Sequence, residues 1–239
     1  MNRTLALILL LVSLTFALAP LVTPPFTGYE PGQFPVAIPN PAIQPAGYAF
    51  SIWGLIYAWL IIHAGYGLWK RVDGPNWARV RVPLIASLVL GTVWLAIAGA
   101  SPEWATVVIW VMSATALAAF LLAPTEPDRW LLSAPLAIYA GWLTAATAVS
   151  TGVLLGGYGV LSDTGSALAM LALVLGVALL VQRQKPQMPV YGLTVIWALA
   201  GVIVANADSD AMVALASGAG IVVMLVGLVA FGRGRSLAA

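Results

Sequence analysis

The residues able to do chemistry in this chain are few, and most are aromatic. Ten tryptophans stand in 239 residues, beside a single histidine, His63, and no cysteine. Trp53, Trp59, Trp94, Trp110, Trp142 and Trp197 fall inside long apolar runs. Trp69, Trp77, Trp104 and Trp130 lie at the ends of such runs, where amphipathic rings anchor at a membrane interface. Phe50, Trp53 and Tyr57 follow an i, i+3, i+7 pattern and share one helix face. Tyr139, Trp142, Ala146 and Ser150 share another, with Thr147 beside it. Stripes of this kind suit a pocket for a flat, apolar ligand, because rings stack on planes while hydroxyl and indole N–H groups orient polar edges. Packing between helices explains the same stripes, and the small residues Ala140, Ala145 and Ala148 fit close helix approach.

His63 has three readings. A lone imidazole can ligate haem or chlorophyll axially, titrate near neutral pH, or hydrogen-bond a neighbouring helix. It is therefore a candidate axial or polar contact. The remaining inventory excludes more than it offers. Without cysteine there are no disulfides, thiolate metal sites or thiol nucleophiles. No Ser/His/Asp set or paired carboxylates are recognisable, so no catalytic residue and no metal ligand set is expected.

These side chains need apolar elements to position them. Of the chain, 62% is hydrophobic and only 8% charged, with mean hydropathy +0.99. Lipid must then be the solvent for most of the surface, and apolar runs of helical length select helices over a barrel. The expected fold is an all-α polytopic membrane protein of eight spans, near 4–22, 47–68, 82–100, 104–123, 131–155, 165–182, 189–206 and 211–231. The spans so drawn contain no Asp, Glu, Lys or Arg, which argues against ion-coupled transport.

Charge tests this division. With the N-terminus inside, Arg3, Lys70, Arg71, Arg79, Arg81, Arg129, Arg183, Lys185, Arg233 and Arg235 all become cytoplasmic, and they are every lysine and arginine present. The external segments carry only Glu30, Glu103, Asp163, Asp208 and Asp210. This is the positive-inside pattern, with both termini cytoplasmic. A net charge of +2, spread over short clusters, gives no reason to expect nucleic acid as a partner. Arg3, the first apolar run and Ala17-Leu18-Ala19 also resemble a signal peptide. The run is long for one and Pro20 would follow the cut, so retention is expected; cleavage would leave seven spans. The one long external segment, 23–46, holds Pro24, Pro25, Pro31, Pro35, Pro39, Pro41 and Pro45. It is expected to be extended or turn-rich, acting as a lid over the external mouth or as a plain linker.

At the two aromatic stripes the chain resembles the tryptophan-rich sensory protein/translocator protein family (TspO/MBR). The family's second helix has a proline-rich entry followed by an aromatic and W-x-x-L-Y. Pro45, Trp53 and Tyr57 match it within Pro45-Ala46-Gly47-Tyr48-Ala49-Phe50-Ser51-Ile52-Trp53-Gly54-Leu55-Ile56-Tyr57. The fifth-helix pattern, Y-x-x-W-x-x-x-A-T-A-x-N, is similar to Tyr139 through Ser150. Ser150 stands where the family commonly has asparagine, Gly91 stands where its third helix has the asparagine of N-x-x-W, and the loop lacks the usual tryptophans. The resemblance covers residues 1–155, read as a TspO-like five-helix bundle; residues 156–239 add three helices and a short basic tail, as in an enlarged, divergent member.

The resemblance implies a pocket beneath the first external loop, between the second and fifth helices. Its residues would be Trp53, Tyr57, Tyr139 and Trp142, with Phe50, Ala146, Thr147 and Ser150 around them. The ligand implied is a hydrophobic planar small molecule such as a tetrapyrrole, porphyrin or haem, bound by a sensory protein, often a homodimer, in a bacterial inner membrane. Two other functions stay open: a transporter or permease for a small hydrophobic molecule, and an accessory subunit of a larger membrane complex.

Overall fold

The computed structural model describes residues 2–23, 29 and 32–236, with side chains through Arg233. Pro24, Pro25, Glu30 and Pro31 of the external segment, and the side chain of Arg235, lie outside the described residues. Among the described residues there are eight α-helices and no strand: α1 Asn2–Val22, α2 Ile52–Lys70, α3 Pro75–Ala100, α4 Pro102–Leu122, α5 Ala134–Gly157, α6 Asp163–Gln184, α7 Val190–Asn206 and α8 Ala211–Ser236. A 3-10 turn, Gly47–Ser51, leads into α2, and a π-helical turn, Arg129–Ser133, leads into α5. Seven helical segments are long and apolar enough to cross a bilayer; α7 is apolar and has 17 residues. The all-α polytopic class read from the sequence is the class observed.

Helix α3 differs most from its expected bounds. It begins at Pro75, well before position 82, so Arg79 and Arg81 belong to the helix and not to a loop. Proline at the first helical turn has no N–H to lose and a φ already suited to the helix. Arg81 is 1% exposed. Its guanidinium donates to the carbonyls of Asn2 (3.1 Å), Val72 (2.8 Å) and Arg71 (3.0 Å), so a buried cation caps the turn that joins α2 to α3. The expectation that Arg79 and Arg81 precede the third helix thus needs correction: both lie in its first two turns.

Backbone packing divides the chain into two compact units: Met1–Tyr29 with Ile52–Leu143, and Glu30–Ser51 with Thr144–Ala239. The division falls inside α5, whereas the sequence reading divides the chain after 155. In the first unit α1 packs on α2 and α3, and α3 packs on α4. The turn from α3 to α4 is one residue, Ser101, whose hydroxyl accepts the N–H of Trp104 (3.2 Å) while Pro102 opens the next helix.

At the opposite end of α3, Asp128 receives Arg71 Nε (2.8 Å), Arg71 Nη2 (3.1 Å) and Trp77 Nε1 (2.8 Å). The Arg71 hydrogen bonds, helped by the Trp77 indole, hold the Asp128 carboxyl below the usual carboxylate range. A lowered folded-state pKa contributes stability above the unfolded value of about 3.9, and that stability is lost as pH falls through the folded value. Asp128→Asn is therefore expected to be less stable than wild type at neutral pH. The gap should close in acid, a trend that thermal unfolding in detergent at stepped pH will check.

In the second unit α8 packs on α6 and α7. The proline-rich segment belongs here, and it is fastened along its length. Val36 N–H donates to Gly157 O (2.9 Å), Ala42 N–H to the Asp163 carboxylate (3.1 Å to each oxygen), and Ala46 N–H to Gly201 O (2.9 Å). In return Asn206 Nδ2 donates to Ala42 O (2.7 Å) and Trp197 Nε1 to Ala49 O (2.9 Å). The segment 36–49 is thus a strap tied to α5, α6 and α7 of its own unit. Prolines leave few donors, and the structure uses the N–H groups of the residues between them.

Candidate functional site

Four of the predicted site residues meet in the first unit. Trp53 and Tyr57 stack on each other, with centroids 5.3 Å apart and planes 18° apart, as the i, i+4 spacing on α2 allows. Trp142, from α5, meets Trp53 edge to face at 6.2 Å and 84°. Tyr139, one turn earlier, is fully buried; Trp142 is 2% exposed, while Trp53 and Tyr57 are half-buried. The wall from α5 is therefore fixed and the wall from α2 is accessible.

The centre of the cluster is a residue the sequence reading missed. Phe16 of α1 meets Trp53 (5.8 Å, 82°), Tyr57 (5.1 Å, 85°) and Tyr139 (5.8 Å, 65°). The available signal was that Phe16 is the lone aromatic in an otherwise aliphatic first span. Its place depends on Gly91. A Cβ at Gly91 would stand 2.5 Å from Phe16 Cε2 and 3.1 Å from the Met112 methyl. The phenyl ring thus occupies the space into which a side chain at 91 would project, which gives the missing third-helix amide a structural counterpart.

Ser87 supplies the polar support. Its hydroxyl donates to Met112 O (2.8 Å) and lies 2.8 Å from the Tyr139 hydroxyl. A serine has one proton to give, so Tyr139 is the donor in the second bond. The Tyr139 ring is thereby pinned to α3 and held in its place against Phe16.

His63 has a structural assignment. The π-helical turn 129–133 leaves carbonyls without their usual α-helical donors. Trp59 and His63, one turn apart on α2, fill the need: Trp59 Nε1 donates to Trp130 O (2.8 Å), and His63 Nδ1 lies 2.8 Å from Leu131 O. A carbonyl only accepts, so His63 carries its proton on Nδ1. The ring is fully buried and stacks on Trp77 at 4.8 Å and 18°. His63 Nε2 has no hydrogen-bond partner among the described residues. Trp77 itself is 2% exposed, unlike the interfacial Trp69, Trp104 and Trp130, so its role is to pack and to hold Asp128.

The other predicted residues lie in the second unit. Phe50 is exposed within the 3-10 turn, where three residues per turn break the face it would share with Trp53 in a continuous α-helix. Thr147 and Ser150 are buried on the later half of α5, and Ala146 is half-buried. Near them Thr144 Oγ1 and the Tyr191 hydroxyl form a buried pair at 3.0 Å. Every residue of α5 from Ala134 to Ala145 is buried, including Ala140 and Ala145, which accounts for the small side chains there. Among the described residues no group of three or more His, Cys, Asp or Glu could hold a metal ion.

No curated protein and no solved structure matches the chain. The family model described as TSPO-like protein matches residues 3–230, and this range takes in α6 and α7 and most of α8. The C-terminal helices are thus within what the family model describes. Given that match over nearly the whole chain, and apolar helices that require contact with a lipid bilayer, this is an integral membrane protein that belongs to the family of TSPO-like proteins.

Proposed function

We propose that the chain is a membrane binding or sensory protein for a hydrophobic planar ligand such as a porphyrin or haem. The observation that carries this reading is the contact of Trp53 and Tyr57 with Phe16 and Trp142, in a member of the TSPO-like family. Two rings enclosing a planar ligand need about 7 Å between their faces, since carbon atoms approach to about 3.5 Å. Trp53 and Trp142 stand edge to face, so the ligand enters by turning the half-buried Trp53 aside from the fixed Trp142. The Tyr57 hydroxyl supplies the polar contact at this wall. The membrane in this proposal is a bacterial inner membrane with both termini cytoplasmic, a placement supported by the clustering of the lysines and arginines at one alternating set of helix ends and connections, with Arg79 and Arg81 in the first two turns of α3.

The test is quenching of tryptophan fluorescence by protoporphyrin IX and haem, titrated into detergent-solubilised protein, with W53F/W142F as the control. Saturable quenching in the wild type that is lost in the variant is the expected result. Linear quenching, or equal quenching in both proteins, would reject the pocket.

A further inference from the structure

The second unit contains a groove formed by none of the aromatic cluster's residues. It has a volume of about 610 Å³ and lies between the strap and the turn from α5 to α6. That volume is typical of a drug-sized site. Val36, Ile38, Pro39 and Leu161 make its apolar walls, and Asn40, Ser162 and Asp163 are its polar side chains; the Ser162 hydroxyl already accepts Gly165 N–H (3.0 Å).

Both walls are built before any ligand arrives. On one side α5 ends in a paired-bond turn: Val160 N–H donates to Leu155 O (2.9 Å) and Gly159 N–H to Gly156 O (2.9 Å). That ending needs a left-handed residue, and Gly159 supplies it with φ +67°. On the other side the strap is tied on both flanks of the groove, by Val36 to Gly157 O and by Ala42 to Asp163. The Phe34 ring meets Tyr158 edge to face at 5.8 Å, adding a third fastening.

Charge selects the ligand. The end of α5 brings roughly half a negative charge and the start of α6 roughly half a positive one, and the two offset each other. What remains is the full negative charge of Asp163. Its two oxygens share one donor, Ala42 N–H, so lone pairs on both stay available. No lysine or arginine occurs anywhere from residue 4 to 69, nor from 130 to 182, so no cation of the strap or the turn competes.

We infer that this groove binds a small amphiphilic amine, with its ammonium on Asp163 and its apolar body along Val36, Ile38 and Leu161. The site is additional to the aromatic cluster and does not depend on what that cluster binds. Asn40 lines the same groove, so a lysine there would bring in a cation to compete with the ammonium.

The experiment uses the detergent-purified full chain and equilibrium dialysis with two indoles of similar size and opposite charge, tryptamine and indole-3-propionate. Tryptamine is expected to bind and indole-3-propionate to fail. N40K and D163N should each weaken tryptamine by about tenfold or more, the scale of losing one charged hydrogen bond. W53F/W142F should bind tryptamine as the wild type does, which separates this site from the cluster. N40K changes an exposed strap residue, so it decides the matter if D163N lowers thermal stability. Equal binding of the two indoles, unchanged tryptamine affinity in N40K, or loss of binding in W53F/W142F would each overturn the inference. So would an ethanolamine lipid that co-purifies with wild type, is absent from N40K and excludes tryptamine, because the site would then serve a lipid headgroup.

Discussion

Gly91→Asn is expected to destabilise the protein, and Phe16→Ala is expected to relieve much of that effect. A Cβ at 91 would lie 2.5 Å and 2.9 Å from two carbons of the Phe16 ring, and the ring is held by Trp53, Tyr57 and Tyr139. Overpacking of a well-filled core costs about 1–3 kcal/mol, and a branched amide in this position belongs at the upper end. Phe16→Ala alone removes a buried ring. In soluble cores such a change costs about 3–5 kcal/mol, and in lipid only the packing part of that remains. The double variant has space for the amide where the ring was, so its loss should fall well short of the sum, with a coupling of roughly 0.5–3 kcal/mol. Unfolding of all four proteins in mixed micelles measures the cycle. Strictly additive losses would mean that Phe16 and Gly91 do not share one space.

This pair also bears on ligand recognition. An amide at position 91, in the space of the Phe16 ring, adds a donor and an acceptor to the cluster, and one such hydrogen bond is worth about 1 kcal/mol. If the cluster binds a tetrapyrrole, F16A/G91N should bind it more tightly than F16A does. The quenching titration applied to the two proteins reads this directly.

The second large effect is expected at the strap. A Cβ at Gly201 would come within 2.8 Å of Pro45 Cβ and 2.9 Å of Ala49 Cβ. Neither neighbour is the flexible end of a long side chain, so backbone must move. Gly201→Leu should therefore lift the strap near Pro45 and break the bond from Ala46 N–H to Gly201 O, a loss of about 1–3 kcal/mol or more. Asn206→Leu acts differently. It keeps the branching and heavy-atom count but removes the donor to Ala42 O, leaving a buried acceptor unpaired at about 1–3 kcal/mol. In both variants residues 36–49 should be cut by protease far faster than in wild type, where the N–H groups of Val36, Ala42 and Ala46 and the carbonyls of Ala42 and Ala49 are tied to the helices. Unchanged protection in both would show that the remaining ties suffice.

Much of the first unit's aromatic cluster was legible because helical spacing is rigid. Trp53 and Tyr57 had to lie on one face of α2, and Tyr139 and Trp142 on one face of α5. Phe16 was not legible, since a lone ring has no periodicity and its partner is a glycine 75 positions away. Phe50 was misleading because a 3-10 turn interrupts the helical register just before Ile52. His63 was ambiguous for a different reason. The carbonyls it serves are exposed by a π-helical turn, and nothing in Arg129–Ser133 announces that winding. Arg81 was read as a loop residue because its charge argued for water, whereas backbone carbonyls from two segments accept its hydrogen bonds.

The sequence by itself determined the class of the protein and the eight helices found among the described residues. A chain with so little charge can only place its surface in lipid, and in lipid the backbone must bond within each helix. The apolar runs and the clustered basic residues therefore marked out the helices before any contact was known. Only the tertiary structure decided where the strap and the fifth helix belong. Residues 36–49 could lie over any helix ends their length reaches. Their seat is fixed by glycines at 157 and 201, by Asn206 and by Asp163, which lie more than a hundred residues along the chain. Likewise α5 reads as one helix, yet its residues divide between two units after Leu143. Spacing along a chain fixes which residues share a face; which neighbour that face meets depends on pairings made only when distant segments pack.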